Sequence, residues 1–151
     1  MSESITFTVP GPPVGKARPR VAYRPNARRA DGGRGRYYGI TPDATVAAET
    51  AIAVIARQLW QEPWEGAIEL TVTAYLPIPA SWSARKRFAA ATQTFIRPSG
   101  RNYDWDNLGK LVSDALNGIA YKDDCQIVRA VVTKWYALGP RTEVTVEQSV
   151  P

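Results

Sequence analysis

Asp104 and Asp106 stand two residues apart, Lys110 follows Asp106 by four, and Asp123-Asp124 close the stretch "RNYDWDNLGKLVSDALNGIAYKDDCQI" (101–127). Carboxylates held this close repel one another unless a cation or a proton holds them. Their hard oxygens suit Mg2+, which retains waters and is usually bound by one or two carboxylates together with substrate phosphate. Such an ion polarises a phosphodiester and generates a hydroxide nucleophile. A neighbouring lysine then stabilises charge on the phosphoryl oxygens or positions the attacking water.

Structural readings compete at every one of these positions. Asp104 or Asp106 could cap a helix, and Asp106 with Lys110 could be a surface pair worth about 0.3–0.5 kcal/mol. Asp123-Asp124 could be a solvated turn. Asn107 either orients Asp104 or Asp124 or is an ordinary first-turn residue. Asp114 continues the line of Asp106 and Lys110 on the face opposite the apolar stripe.

The whole chain narrows the chemistry. It has 151 residues, 44% hydrophobic and 22% charged, which suits one folded domain over 1–151. It contains no histidine, which excludes Ser-His-Asp and Cys-His nucleophile systems, HNH nucleases and two-histidine phosphodiesterases. Acid–base work must therefore use carboxylates, lysine, tyrosine or metal-activated water. The single cysteine, Cys125, cannot form an internal disulfide and rules out Cys/His zinc sites. With no signal-peptide pattern in "MSESITFTVPGPP", this fits a cytoplasmic protein. No apolar run approaches the roughly 20 residues of a spanning helix, so no membrane role is expected.

Net charge is +5, unevenly spread. Lys16, Arg18, Arg20, Arg24, Arg28, Arg29, Arg34 and Arg36 crowd the first 40 residues against only Glu3 and Asp31. Arg85, Lys86, Arg87, Arg97 and Arg101 form a second basic stretch without an acid. This asymmetry favours a polyanionic partner, nucleic acid ahead of an anionic membrane.

The elements that must position these groups follow from periodicity. "ITFTV" (5–9) reads as a strand ended by "PGPP". Residues 16–40 read as a long basic hairpin or loop, with short strands near Arg20–Tyr23 and Arg36–Ile40 and "ADGGRG" at its tip. A helix opens at Thr41-Pro42-Asp43 and runs to about Trp60, and "AIELTVTAYLP" (67–77) alternates as a strand. Ser81 is expected to cap a helix running to about Ala91.

Leu108, Leu111, Val112, Ala115, Leu116 and Ile119 form one helical stripe, stopped by Gly118. Gly109 within it costs about 1 kcal/mol relative to alanine, which close approach of another backbone would explain. Residues 126–137 and 142–148 read as strands joined by "LGPR", an expected antiparallel pair. Trp60, Trp64, Trp82, Trp105 and Trp135 are expected in the core or an interface. A helix over 106–117 spans about 18 Å, so Asp123-Asp124 meets Asp104 and Asp106 only if the chain runs back along the helix or a second subunit supplies it. The order predicts an α+β or mixed α/β domain with a mostly antiparallel mixed sheet.

"DWDNLGKLVSDALNG" followed by "YKDDCQIV" resembles the signature of the RusA-like Holliday-junction resolvases, roughly D-x-D-N-L-x-K-x-x-x-D-A-L-x-G … D-D-x-Q-I. "FTVPGPPVGKARPR" and "PIPASWSARKR" are similar to other parts of many members. The resemblance implies a small homodimeric endonuclease that cuts branched DNA, chiefly four-way junctions, with Mg2+ or Mn2+. It would leave 5′-phosphate and 3′-hydroxyl ends, in a family common in phages and prophages. It places the catalytic and metal-binding carboxylates at Asp104, Asp106 and Asp124, with Asp123 supporting them, and the catalytic lysine at Lys110.

DNA contacts are expected from Lys16, Arg18, Arg20, Arg28, Arg29, Arg34, Arg36, Arg85, Lys86 and Arg87. Two departures from the family pattern are Tyr103, where many members carry proline, and a longer, arginine-rich Asn26–Gly35. The alternatives are an accessory protein that binds branched DNA without cutting it, and a nuclease of broader branched-DNA or flap specificity.

Overall fold

Five alternate residues of one strand, Ile68, Leu70, Val72, Ala74 and Leu76, are at most 2% exposed, and the fold is arranged around them. The computed structural model describes residues 3–92, 98–100 and 103–149; Arg97, Arg101 and the first two residues of the acidic stretch lie outside them. That strand, β4 (Ile68–Pro77), lies inside a four-stranded sheet. Its other members are β1 (Ser4–Pro10), β5 (Ile127–Ala137) and β6 (Arg141–Gln148), in the order β1-β6-β4-β5. β6 runs antiparallel to both its neighbours, and β5 runs parallel to β4.

β5 and β6 are therefore not a hydrogen-bonded pair, contrary to the hairpin expected from "LGPR". β4 lies between them. The link across residues 138–140 reaches over two strand spacings of about 4.8 Å each, well within the span of four Cα–Cα steps of 3.8 Å. β4 is the most buried strand, and placing it centrally gives both its edges a partner.

Helices α1 (Asp43–Leu59) and α3 (Trp105–Leu116) cover the apolar face of this sheet. Ile52, Ala56 and Trp60 meet Leu111, Val112, Ala115 and Leu116 over Phe7, Leu70, Val144 and Val146. The stripe read along α3 is thus the core face. Gly109 is crowded by a side chain rather than by the neighbouring backbone expected: a Cβ there would lie 2.9 Å from Val132 Cγ2 of β5. Gly118 takes φ +71° just past the helix, the left-handed turn expected of it.

Helix α2 (Ala84–Ala91) begins two residues later than expected, because Ser83 rather than Ser81 caps it; its hydroxyl accepts the Lys86 N–H at 3.3 Å. A smaller apolar cluster joins α2 to the sheet through Leu76, Ala90 and Tyr136, with Trp82 and Tyr103 against it. Trp60 is in the core, whereas Trp105 is 65% and Trp135 39% exposed.

The basic segment forms its own two-stranded antiparallel sheet, β2 (Arg20–Arg28) and β3 (Arg34–Ile40), with longer strands than the sequence suggested. The register shifts between Arg24 and Arg28, around Pro25, which cannot donate to a ladder. Gly35, at φ +90°, admits the Tyr23 ring, whose hydroxyl would stand 2.0 Å from a Cβ there.

Candidate active site

The acidic groups are set by the two ends of α3. Asp104 is its N-cap residue, but its side chain makes no capping hydrogen bond. The capping alternative for Asp104 therefore fails, and its exposed carboxylate is left for other work. Tyr103, just before it, is held from two sides: its ring packs in the smaller cluster, and Lys134 Nζ donates to its carbonyl at 2.7 Å. Asp106 is exposed in the first turn. It does not pair with Lys110 as an i,i+4 partner; Lys110 turns instead to Asp114, at 2.9 Å.

The return of the chain brings Asp124 to the same lysine. Beyond Gly118 the backbone folds back: Gly118 N–H donates to the Tyr121 carbonyl at 2.8 Å, and the buried Tyr121 hydroxyl donates to the Ser113 carbonyl at 2.8 Å. Burial first, then the nearby charges of Asp124 and Asp114, hold that phenol protonated well above its ordinary range. A single 3-10 turn, Asp124–Gln126, then presents Asp124 so that Lys110 Nζ donates to its Oδ2 at 3.1 Å. The chain thus runs back along α3 far enough to bring Asp124 to Lys110.

The motif "DDCQI" divides this labour. Asp123 caps the turn, accepting the Cys125 N–H at 2.9 Å, and those hydrogen bonds from Cys125 hold its carboxyl below the usual range. Gln126 closes the capping box by accepting the Asp123 N–H at 3.1 Å. Its amide nitrogen then donates to the carbonyls of Trp64 and Gly66 at 3.0 and 2.9 Å, fastening the turn to the loop before β4. Asp123 is occupied with the turn, and Asp124 is the aspartate presented to the lysine.

Sequence reasoning gave no role in the site to Asp114, Glu49 or Lys134, and read Lys16 as a DNA contact. Asp114 Oδ2 accepts from Lys16 Nζ at 3.0 Å, and Lys16 also pairs with Glu49 of α1. The result is an alternating row: Glu49, Lys16, Asp114, Lys110, Asp124. Burial would raise the Asp114 carboxyl, but hydrogen bonds from Lys110 and Lys16 outweigh it and hold the group below its ordinary range. Hydrogen bonds to Asp114 and Asp124 raise Lys110. Burial opposes the charge on Lys16, yet its bonds to Glu49 and Asp114 raise it overall.

Asp114 was legible as the i+4 partner of Lys110. Lys134 was legible too, as a lysine at an inward position of a strand whose neighbours at that face are Val132 and Tyr136. Glu49 carried no sequence signal.

Among the remaining basic residues, Arg20, Arg28, Arg34 and Arg36 are exposed on β2 and β3, and Arg18 is exposed on the segment leading to them. Arg29 Nε donates to the Gly35 carbonyl within the hairpin. Arg24 stacks on Tyr38 at 4.6 Å. Arg85, Lys86 and Arg87 are exposed on α2, with Lys86 over the Trp82 ring at 3.8 Å. Lys16 differs from all of these in being paired with carboxylates.

The donor set is one of hard oxygens, which fits Mg2+. Among the described residues no three acidic, histidine or cysteine side chains stand close enough to hold a metal by themselves. Mg2+ is usually held by one or two carboxylates completed by phosphate and water. Among the described residues no helix is long and apolar enough to cross a membrane.

Known proteins place the chain firmly. It is 34% identical over 148 residues, 97% of each chain, to YqaN of Bacillus subtilis (strain 168), described as an uncharacterized protein. Residues 10–147 match the family described as Endodeoxyribonuclease RusA. That span takes in the end of β1, the basic hairpin, α3 with its carboxylates and most of β6, so the chain belongs to the RusA endodeoxyribonuclease family.

Proposed function

We propose that this protein is a divalent-metal-dependent endodeoxyribonuclease that resolves four-way DNA junctions by paired symmetric nicks. The observation that carries the reading is Asp124 returning to Lys110, one helical turn from Asp106, in a chain whose arginines stand out on a separate hairpin. Asp104 and Asp106 would hold Mg2+ or Mn2+, with Asp124 as the third acid. The ion supplies Lewis-acid polarisation of the phosphodiester and a water acidified to act as nucleophile.

The chain's own residues do the rest. Lys110 stands where its ammonium can stabilise negative charge growing on a phosphoryl oxygen. Lys134 and the Tyr103 ring fix the approach to Asp104. Gln126 fixes the approach to Asp124. The exposed arginines of β2 and β3 bind backbone phosphates, and Arg85 and Arg87 extend that surface. Attack on phosphorus breaks the P–O3′ bond, leaving a 5′-phosphate and a 3′-hydroxyl. Two copies related by a two-fold axis would match the symmetry of a four-way junction and nick opposite strands.

The test sets a synthetic four-way junction beside a linear duplex of matched sequence. Protein is added with Mg2+, with EDTA, and as Asp106→Asn. Paired nicks in the junction alone, abolished by chelation and by the substitution, establish the resolvase. The exposed arginines of the separate hairpin would equally serve one other reading, a branched-DNA-binding accessory protein. Tight junction binding without cleavage in Mg2+ or Mn2+ would select it.

A further inference from the structure

Lys16 is the basic residue of the N-terminal segment that faces inward. Its Nζ bridges Glu49 on α1 and Asp114 on α3, and its own N–H donates to the Asn107 carbonyl at 2.8 Å. Ala17 N–H reaches the Thr45 hydroxyl at 3.4 Å, and Thr45 is buried. Lys16 is thus tied to both helices by backbone and side chain together.

The row it begins runs outward: the side chains of Lys16 and Asp114 are 26% and 22% exposed, those of Lys110 and Asp124 54% and 36%. Each oxygen of Asp114 has one lysine, Oδ1 facing Lys110 and Oδ2 facing Lys16. A carboxylate gripped at both oxygens has one orientation, whereas one gripped at a single oxygen can swing about its own axis. Lys110 is a long chain with a single point charge, and its position is only as defined as the groups it leans on.

We infer that Lys16 is a positioning residue for Lys110, acting through Asp114 and steadied by Glu49, rather than one of the phosphate-gripping cations of the arm. The inference rests on the assignment of Lys110 to the reaction. Without Lys16, Asp114 is left with Lys110 as its one lysine partner. It then draws Lys110 toward itself and away from Asp124. The loss falls on the chemical step, because the arm that grips DNA is unchanged. Residue 16 also lies only four residues before β2, so the strap that positions Lys110 is continuous with that arm.

The experiment uses the full chain with Lys16→Met, Asp114→Asn, their combination, Lys16→Arg and Glu49→Gln. Single-turnover junction cleavage in Mg2+ is measured at saturating protein, and junction affinity in EDTA. Lys16→Met is expected to slow cleavage by about 10–100-fold, the loss typical when a partner of a functional group is removed. Affinity should stay within about twofold. The double variant should be no slower than the slower single variant, as for residues acting as one unit. Lys16→Arg should recover most of the rate, and Glu49→Gln should lose less than Lys16→Met.

A second readout needs neither metal nor activity: the side-chain ammonium resonance of Lys110 in metal-free protein should move in Lys16→Met. Weakened affinity with an unchanged saturated rate would make Lys16 a phosphate contact and overturn the inference. So would losses that multiply in the double variant, or an unmoved Lys110 resonance. Should Lys16→Met fail to fold, Glu49→Gln carries the test, and an unchanged rate and resonance there overturn it. Wild-type protein that cuts no junction would instead sink the proposed function, while the resonance still decides the positioning role.

Discussion

The acidic corner and the basic hairpin carry opposite charge and are built on opposite principles. At the corner Lys110 and Asp124 are fixed before any substrate arrives, while Asp104 and Asp106 stand exposed beside them. Gln126 fastens the turn, Tyr121 fastens the return, and Lys110 is shared by two carboxylates. The hairpin has a sheet of its own, and Val21, Tyr23 and Tyr37 remain more than half exposed on it. Arg20, Arg28, Arg34 and Arg36 end in solvent rather than on carboxylates. Chemistry needs a set geometry, whereas binding a branched polyanion needs charge that adjusts to the phosphates it meets. If the corner cuts DNA and the hairpin grips it, as proposed, those two demands account for the difference between the regions.

The sharpest way to break the comparison is to remove charge at the corner without disturbing the fold. Asp106→Asn and Asp124→Asn should each reduce junction cleavage by about 10²–10³-fold or more, while junction binding in EDTA and the melting temperature hardly change. Normal divalent-dependent cleavage by either variant would remove that residue from the site. The hairpin should behave the other way round. Changing Arg28, Arg29, Arg34 and Arg36 together to glutamine should lower the slope of log affinity against log salt by about 3–4 units and spare the fold. An unchanged slope would take the hairpin off the DNA-binding surface.

How far each region was legible follows from the range of the forces that shape it. The α3 stripe and the β4 alternation are local patterns, so helix and strand could be read directly. The pairing of β5 with β4 instead of β6 depends on which strand most needs two partners, a contest settled across the whole sheet. At the site, Asp104, Asp106, Lys110 and Asp124 are close in sequence and formed a recognisable motif. The Lys16–Glu49 end of the row joins residues 33 positions apart through packing of α1 on α3, and no spacing rule reports that. Lys16 looked like one more cation of the arm because charge in a sequence carries no direction. Family membership supports an endodeoxyribonuclease.

A smaller effect tests whether the corner depends on how closely α3 lies on β5. Gly109→Ala adds helix propensity but sets a methyl 2.9 Å from Val132 Cγ2, and a β-branched side chain cannot swing aside easily. Overpacking of this kind costs about 1–3 kcal/mol, enough to lower the melting temperature by several degrees. Pairing it with Val132→Ala should restore part of the loss. A stabilised single variant would mean that the helix can ride up on the strand at no cost, and the corner is then less fixed than its contacts imply.

The smallest expected effect is on pH, and its sign follows from the row of alternating charge. The Asp114 carboxyl is held below its ordinary value, so the stability it contributes is fully present above about pH 4 and is lost as pH falls through its depressed folded value. Lys16 is raised above 10.5, so its contribution is present below that pH and lost as pH climbs through the raised folded value. Asp114→Asn removes the first dependence and weakens the second. Its melting temperature should sit slightly below wild type at neutral pH and fall less steeply both into acid and into alkali. Gln substitutions at hairpin arginines, which lean on no carboxylate, should leave the shape of the same curve unaltered. If both sets of variants trace parallel curves, the row contributes nothing to folding. Its value would then lie in orienting Lys110 alone.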